Sequence, residues 1–131
     1  MQSILFGSPD QSKPKVAILI KSTGLNRTKL ETHYIKPVGL DPNVFVAWEL
    51  SYETPKRVSA KYAKEYLQDL LPELHHQKIK ILFVTDGTYF KYLTGVTKTE
   101  PYYGEILPCN VKAYEYMQVI LSPNFQSLVY N

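Results

Sequence analysis

Short, largely apolar runs alternate along the chain with polar and helix-periodic segments. Runs of this length that are rich in β-branched residues are typical of strands buried on both faces of a sheet. Turn-forming or charged residues flank each run, so the runs are predicted as separate strands. The four predicted strands cover residues 16–20, 44–48, 79–84 and 117–121.

A long amphipathic helix is predicted between the second and third runs. Apolar positions recur every three or four residues over 58–74, and charged residues line the other face. Thr54 is predicted as the N-cap, with Pro55 at the first helical position. His75 and His76 are predicted at the end of this helix. No third residue is spaced to complete a metal site with them, so they are interpreted as basic residues that stabilise a helix C-terminus.

Two shorter helices are predicted over residues 28–35 and 86–93. Asp86 or Thr85 can cap the second helix, and Gly95 can end it in a left-handed conformation. Every predicted helix therefore lies between two predicted strands.

This alternation indicates an α/β fold, predicted as a three-layer α-β-α domain over residues 15–131 with a mostly parallel, four-stranded sheet. In such sheets ligands bind beyond the carboxyl ends of the strands. The loops that follow Lys21, Thr85 and Ser122 are therefore expected to meet and to form the functional site.

Two segments fall outside the alternation. Residues 1–14 contain glycine and prolines and are assigned to an N-terminal arm, with a short edge strand near Ile4. Residues 96–113 are expected to be irregular because prolines and a glycine interrupt them.

The length of 131 residues suits one compact domain. No apolar run approaches the roughly 20 residues of a membrane helix, and the N-terminus lacks the pattern of a signal peptide. The one cysteine, Cys109, suggests a reducing compartment. We therefore expect a cytoplasmic protein without a membrane partner, and no motif calls for a cofactor or a metal.

The net charge is +3, but the basic residues are concentrated near the N-terminus. Residues 1–36 hold six basic and two acidic residues, or +4, while residues 37–131 hold nine basic and ten acidic residues, or −1. A local surplus of this kind can attract an anion even when the total charge is modest. A solvated, lysine-rich loop explains the same surplus equally well.

The turn after the first buried strand combines a cation with small residues and a glycine. Exposed N–H groups beside a lysine could hold a phosphate, although the spacing is neither that of a P-loop nor that of a dinucleotide fingerprint. A plain strand-to-helix turn is the alternative. The residues assigned to phosphate binding are Lys21, Ser22, Thr23, Arg27 and Lys29.

Tyrosine is abundant, with 11 residues, and it can either stack on exposed bases or fill a core. Tyr62 and Tyr66 share a face of the long predicted helix, which favours core packing. Tyr102 and Tyr103 lie in a predicted loop with Lys98 and are assigned to DNA contacts.

No catalytic residue is assigned. Asp86 is explained at least as well by helix capping as by an active carboxylate, and Ser122 lacks the Gly-x-Ser-x-Gly context of a hydrolase nucleophile. Cys109 has no evident base partner.

The second half of the chain resembles the uracil-DNA glycosylase superfamily. The matching pieces are residues 81–88, the helix end at 92–95, the 96–98 segment with Tyr103-Gly104, and the loop at 122–128. The resemblance implies a glycosylase-like fold whose DNA-facing edge is built by the loops after the strands.

From Lys15 onward, the chain also resembles the N-terminal domain of family A DNA polymerases from large tailed bacteriophages. The matching features are the strand at 15–20, the Asn26-Arg27-Thr28 turn, the strand at 81–84 and the Ser122-Pro123 strand end. This likeness implies a parent DNA-directed DNA polymerase acting in viral DNA replication in the host cytoplasm. DNA and the polymerase and exonuclease domains, or another replication protein, are the implied partners.

Two departures from the glycosylase pattern argue against catalysis. Residues 21–24 stand where glycosylases place the residue that positions or activates water, and Ser122 stands in place of the histidine that stabilises the leaving base. The remnants of the old site would be Asn26, Asp86, Ser122 and Asn124. A non-catalytic DNA-binding or docking domain is expected. A divergent active glycosylase and a protein-interaction module unrelated to DNA are the alternatives.

Overall fold

The computed structural model describes residues 3–5, 15–21, 26–32, 36, 45–54 and 56–122. They form an α/β structure, which confirms the predicted class. The strands are β1 (Ser3–Leu5), β2 (Val16–Lys21), β3 (Phe45–Leu50), β4 (Ile81–Val84), β5 (Ile106–Pro108) and β6 (Gln118–Leu121). The helices are α1 (Arg27–Leu30), α2 (Ala60–His76) and α3 (Gly87–Thr94), with a 3-10 turn at Glu100–Tyr102.

The strands form one mixed, six-stranded sheet in the order β1-β3-β2-β4-β6-β5. The four predicted strands are its parallel centre, β3-β2-β4-β6. The expectation of a four-stranded sheet was wrong, because β1 and β5 add antiparallel strands at the two edges. The edge strand near Ile4 was predicted. The second one was missed because β5 is only three residues long and ends in Pro108.

One face of the sheet packs against α2 and α3. Alternate residues of β2, Ala17 and Leu19, point to this face and are fully buried beneath the apolar side of α2. Leu67, Leu70 and Leu71 of α2 are at most 1% exposed, as expected for the predicted apolar stripe. This larger core therefore holds α3 and the ends of the parallel strands in place.

The opposite face packs against α1. Ile18 and Ile20 of β2 point to this side and cluster with Leu30 of α1 and with Phe45 of β3. Both faces of β2 and β3 are thus buried, which explains why their sequences are continuous apolar runs rather than alternating ones. On this side of β4 and β6, Phe83 and Ile120 are partly exposed.

The long helix begins five residues later than predicted. Ser59 is its N-cap, and the Ser59 hydroxyl accepts the backbone N–H of Tyr62 at 3.2 Å. Thr54, the predicted cap, instead exchanges two backbone hydrogen bonds with Arg57 in a tight turn. Pro55 lies outside the described residues. The prediction failed because Thr54 and Ser59 both satisfy the preference for a small polar cap.

The predicted caps of α3 are confirmed, although the helix runs to Thr94, one residue beyond its predicted end. Asp86 caps its N-terminus, and Gly95 ends it with φ of 78°. The Gly95 N–H donates to the carbonyl of Lys91 at 2.8 Å, which closes the last turn.

We expect Gly95→Ala to lower the free energy of unfolding by about 1–2 kcal/mol, because a residue with a Cβ is strained at positive φ. The added methyl would lie 2.7 Å from Nδ2 of Asn110, but Asn110 is exposed and its amide can rotate away. Backbone strain at positive φ therefore accounts for most of the loss. Urea denaturation measures the loss. Gly104→Ala is the matched control, because Gly104 has φ of 79° and an added Cβ there meets no atom within 4 Å. A much larger loss of stability for Gly95→Ala than for Gly104→Ala would contradict this account.

Candidate functional site

The carboxyl ends of the four parallel strands lie along one edge of the sheet. The connection from β2 leads to β3 on one side, and the chain then returns to β4 on the other side. The switch point of the sheet therefore lies between β2 and β4, where α/β proteins usually bind ligands. We call this region the carboxyl edge, and its described residues include Lys21, Ser51, Tyr52, Thr85, Asp86 and Ser122.

Lys21, Tyr52 and Asp86 form a connected cluster at this edge. The Lys21 Nζ lies 4.8 Å from the centroid of the Tyr52 ring, within the range of a cation–π contact. The Tyr52 hydroxyl donates a hydrogen bond to Oδ2 of Asp86. A cation from β2 and a carboxylate after β4 are thus joined through one aromatic side chain after β3.

Both carboxylate oxygens of Asp86 accept hydrogen bonds. Oδ1 accepts the backbone N–H of Tyr89 at 3.0 Å and caps α3, while Oδ2 accepts from Tyr52. The capping interpretation of Asp86 is therefore confirmed, and its carboxylate is committed to holding β3 and α3 together.

Three more tyrosine hydroxyls fasten the end of β3 and the residues after it. Tyr66 donates to the carbonyl of Glu49 at 2.5 Å, and Tyr89 donates to the carbonyl of Ser51. The Tyr62 hydroxyl pairs with the Ser51 hydroxyl at 2.6 Å. The interpretation of Tyr62 and Tyr66 as packing residues is confirmed, since both are half-buried against the core.

Burial raises the pKa of Tyr52, Tyr66 and Tyr89 well above the ordinary tyrosine value. For Tyr52 the hydrogen bond to Asp86 and the charge of that carboxylate raise the pKa further. The hydroxyls therefore stay protonated and act as hydrogen-bond donors throughout the neutral range.

The ends of β4 and β6 are also anchored. Thr85 donates twice to the carbonyl of Leu19, from its hydroxyl at 2.9 Å and from its backbone N–H at 3.2 Å. The backbone N–H of Ser122 donates to the carbonyl of Val84 at 2.8 Å, which extends the parallel ladder by one residue. Ser122 therefore lies at the carboxyl edge, as predicted.

The loop after α3 returns to the same edge. A Cβ at Gly87 would lie 3.3 Å from Cγ2 of Thr99, so Thr99 lies beside the start of α3, and the residue before it, Lys98, is exposed. Tyr103 pairs with Leu121 at the end of β6 and is 55% exposed. Tyr102 is half-buried and packs against the core, so of the two predicted tyrosines Tyr103 presents its ring to solvent.

Two further predicted cations, Arg27 and Lys29, are exposed on α1, which packs through Leu30 against the face of the sheet that carries Ile18 and Ile20. Asn26 caps this helix through its Oδ1, which accepts the Lys29 N–H at 3.0 Å. Arg27 forms a 3.9 Å ion pair with Glu31 across one helical turn. Of the predicted site residues, Ser22, Thr23 and Asn124 lie outside the described residues.

The basic surplus of the N-terminal segment is not gathered in one place. Lys15 lies just before the amino end of β2, at the end of the strands opposite the carboxyl edge. Its carbonyl accepts the N–H of Lys80 at 2.8 Å. Lys21 lies at the carboxyl edge instead, at the other end of the same strand. The length of β2 separates these two lysines, so only part of the basic surplus of residues 1–36 lies near the carboxyl edge.

Tyr52 is the functional-site residue that the sequence did not indicate. Its partner, Asp86, is 34 residues away, and no local pattern links the two positions. Its one signal is position, since it comes directly after a buried strand whose carboxyl end was expected to face the site.

Other candidate chemistries are occupied or buried. His75 pairs through Nδ1 with the Tyr116 hydroxyl at 2.6 Å, and Cys109 is 2% exposed, with burial raising its thiol pKa. Within the described ranges, no three His, Cys, Asp or Glu side chains are grouped to hold a metal ion. None of the helices described is long and apolar enough to cross a membrane.

No protein-family model matches this chain, and a search of curated proteins found no significant relative. The geometry of the carboxyl edge is therefore the basis for assigning a function.

We expect the protein to lose stability as the pH rises above about 10. The pKa values of Tyr52, Tyr66 and Tyr89 are raised in the folded state, so these hydroxyls ionise in the unfolded chain first. The stabilisation is complete below the unfolded value of about 10 and declines above it. Urea denaturation at a series of pH values from about 8 to about 11 measures the fall in the free energy of unfolding. In Tyr52→Phe the free energy of unfolding should fall less steeply with pH than in the unmodified protein. An equally steep fall would contradict the contribution assigned to the Tyr52 hydroxyl.

Proposed function

We propose that this chain is a non-catalytic DNA-binding domain that holds DNA phosphates at the carboxyl edge of its sheet. The observation that carries the proposal is the position of Lys21 at the topological switch point, with Arg27 and Lys29 exposed on the helix that follows. Cations at a switch point suit an anionic ligand, and the phosphate backbone supplies most of the affinity in non-specific DNA binding.

A glycosylase-like fold belongs to the same proposal. Four parallel strands in the order β3-β2-β4-β6 lie at the centre of the sheet, and α3 follows β4 as it does in the resemblance. The pieces that matched glycosylases at Thr85, Tyr103 and Ser122 meet at one edge in space. This convergence supports a shared architecture with the N-terminal domain of phage family A polymerases.

The chemistry of the edge favours binding over catalysis. Asp86 accepts a helix N–H and the Tyr52 hydroxyl, and the Asn26 amide oxygen caps α1, so both polar groups have structural partners. Ser122 stands where glycosylases have the histidine that stabilises the departing base. Removing one such electrostatic donor typically lowers the rate by about 10²–10³.

In this proposal the domain acts in viral DNA replication as part of a polymerase. Docking against exonuclease and polymerase domains, or against another replication protein, would place the carboxyl edge along the path of the DNA. A protein-docking role without DNA contact is the second outcome that the binding experiment distinguishes.

We expect Lys21→Ala to weaken DNA binding and to lower the dependence of affinity on salt. Removing one lysine–phosphate interaction should reduce the slope of log affinity against log salt by about 0.9 for duplex DNA and about 0.7 for a single strand. Fluorescence anisotropy with a labelled oligonucleotide at several salt concentrations measures both quantities.

Lys15→Ala is the matched control, because Lys15 is an exposed lysine at the amino end of β2, away from the carboxyl edge. It should leave the affinity and the salt slope close to those of the unmodified protein. Equal effects of the two substitutions would contradict a site at the carboxyl edge. If no salt-sensitive binding occurs at low ionic strength, DNA binding is wrong and the docking role is favoured.

We expect no release of free base from uracil-containing DNA, because the groups that would activate water and stabilise the leaving base are replaced or engaged. A glycosylase assay with heat or alkaline cleavage of abasic sites measures this directly. Release that Asn26→Ala or Asn124→Ala abolishes would instead establish an active, divergent glycosylase.

A further inference from the structure

Tyr103 presents an aromatic ring at the carboxyl edge. Its backbone pairs with Leu121, and the N–H of the next residue, Gly104, donates to the Leu121 carbonyl at 3.1 Å. These contacts hold the segment against the last parallel strand, while the Tyr103 side chain stays 55% exposed. Because its backbone is already held in place, this segment loses little conformational entropy on binding. The exposed ring therefore suits a stacking contact.

The charge around Tyr103 differs from that around Lys21. Residues 98–105 contain Lys98 together with Glu100 and Glu105, and all three are exposed. This loop therefore carries a net negative charge and does not attract a phosphate backbone. A neutral base is the part of a nucleic acid that fits beside the Tyr103 ring.

The cationic and aromatic parts of the edge are separated by three strand spacings. The steps run from β2 to β4, from β4 to β6, and from β6 to the Tyr103 segment. Neighbouring strands lie about 4.8 Å apart, so Lys21 and Tyr103 lie about 14 Å apart across the edge. A short run of nucleotides can span this distance with a phosphate at one end and a base at the other.

We infer that the carboxyl edge prefers single-stranded DNA, with a phosphate beside Lys21 and an unstacked base on the Tyr103 ring. This inference rests on the proposed DNA-binding function and adds the strandedness of the ligand. In a duplex the bases are stacked on each other and unavailable to Tyr103. A second strand would also bring phosphates toward Glu100 and Glu105, where like charges repel.

The test compares three labelled oligonucleotides of equal length by fluorescence anisotropy: a single strand, its duplex, and a single strand of abasic sites. The single strand should bind more tightly than the other two at the same ionic strength. Tyr103→Ala should weaken single-strand binding roughly 5- to 150-fold, the usual effect of removing one stacking ring. It should leave abasic-strand binding and the salt slope unchanged.

Two variants make the result specific. Tyr103→Phe keeps the ring and should retain the affinity for the single strand. Tyr116→Ala removes a tyrosine of similar exposure, 46%, that lies before the amino end of β6 and should have no effect. Thermal unfolding of each variant confirms that the fold is intact.

The outcomes separate this inference from the proposed function. If Lys21→Ala weakens binding but Tyr103→Ala does not, or if the duplex binds as tightly as the single strand, the preference for single strands is wrong and DNA binding stands. Equal weakening by Tyr103→Ala on the normal and abasic strands would indicate a structural effect and would also overturn it. If none of the oligonucleotides binds, both proposals fail.

Discussion

The carboxylate of Asp86 connects three elements at the carboxyl edge. It accepts the backbone N–H of Tyr89 at the start of α3 and the hydroxyl of Tyr52 after β3. Tyr52 in turn places its ring against the Lys21 ammonium at the end of β2. Because a half-buried carboxylate is costly without partners, these contacts depend on one another. The same contacts commit Asp86 to structure, which removes it from the groups that could activate water.

The carboxyl edge therefore divides into two chemically different parts. Lys21 supplies positive charge at the end of β2, beside the switch point, and Arg27 and Lys29 are exposed on α1. Tyr103 supplies an exposed ring on the other side, in a loop that Glu100 and Glu105 make acidic. Phosphate and base are the two parts of a nucleotide that match this division. The binding and stacking proposals both derive from it.

Local rules predicted the elements whose signals were strong and continuous. The central strands were found from their apolar runs, which in β2 and β3 reflect burial on both faces. The caps of α3, Asp86 and Gly95, were predicted correctly. The start of α2 was misplaced because Thr54 and Ser59 are both residue types that favour an N-cap; Ser59 caps the helix, and Thr54 forms a turn with Arg57. The strand at Ile106–Pro108 was missed because three residues are too few to show a period.

The sequence by itself determined the α/β class, the parallel strands at the centre of the sheet and the edge at which Lys21, Asp86 and Ser122 would meet. These follow from hydrophobic periodicity and from the geometry of parallel sheets, which are local or general properties. The tertiary structure alone decided that Tyr52 joins Lys21 to Asp86 and that Tyr103, rather than Tyr102, is exposed. Such contacts join residues far apart in the chain, so no local pattern of side chains encodes them.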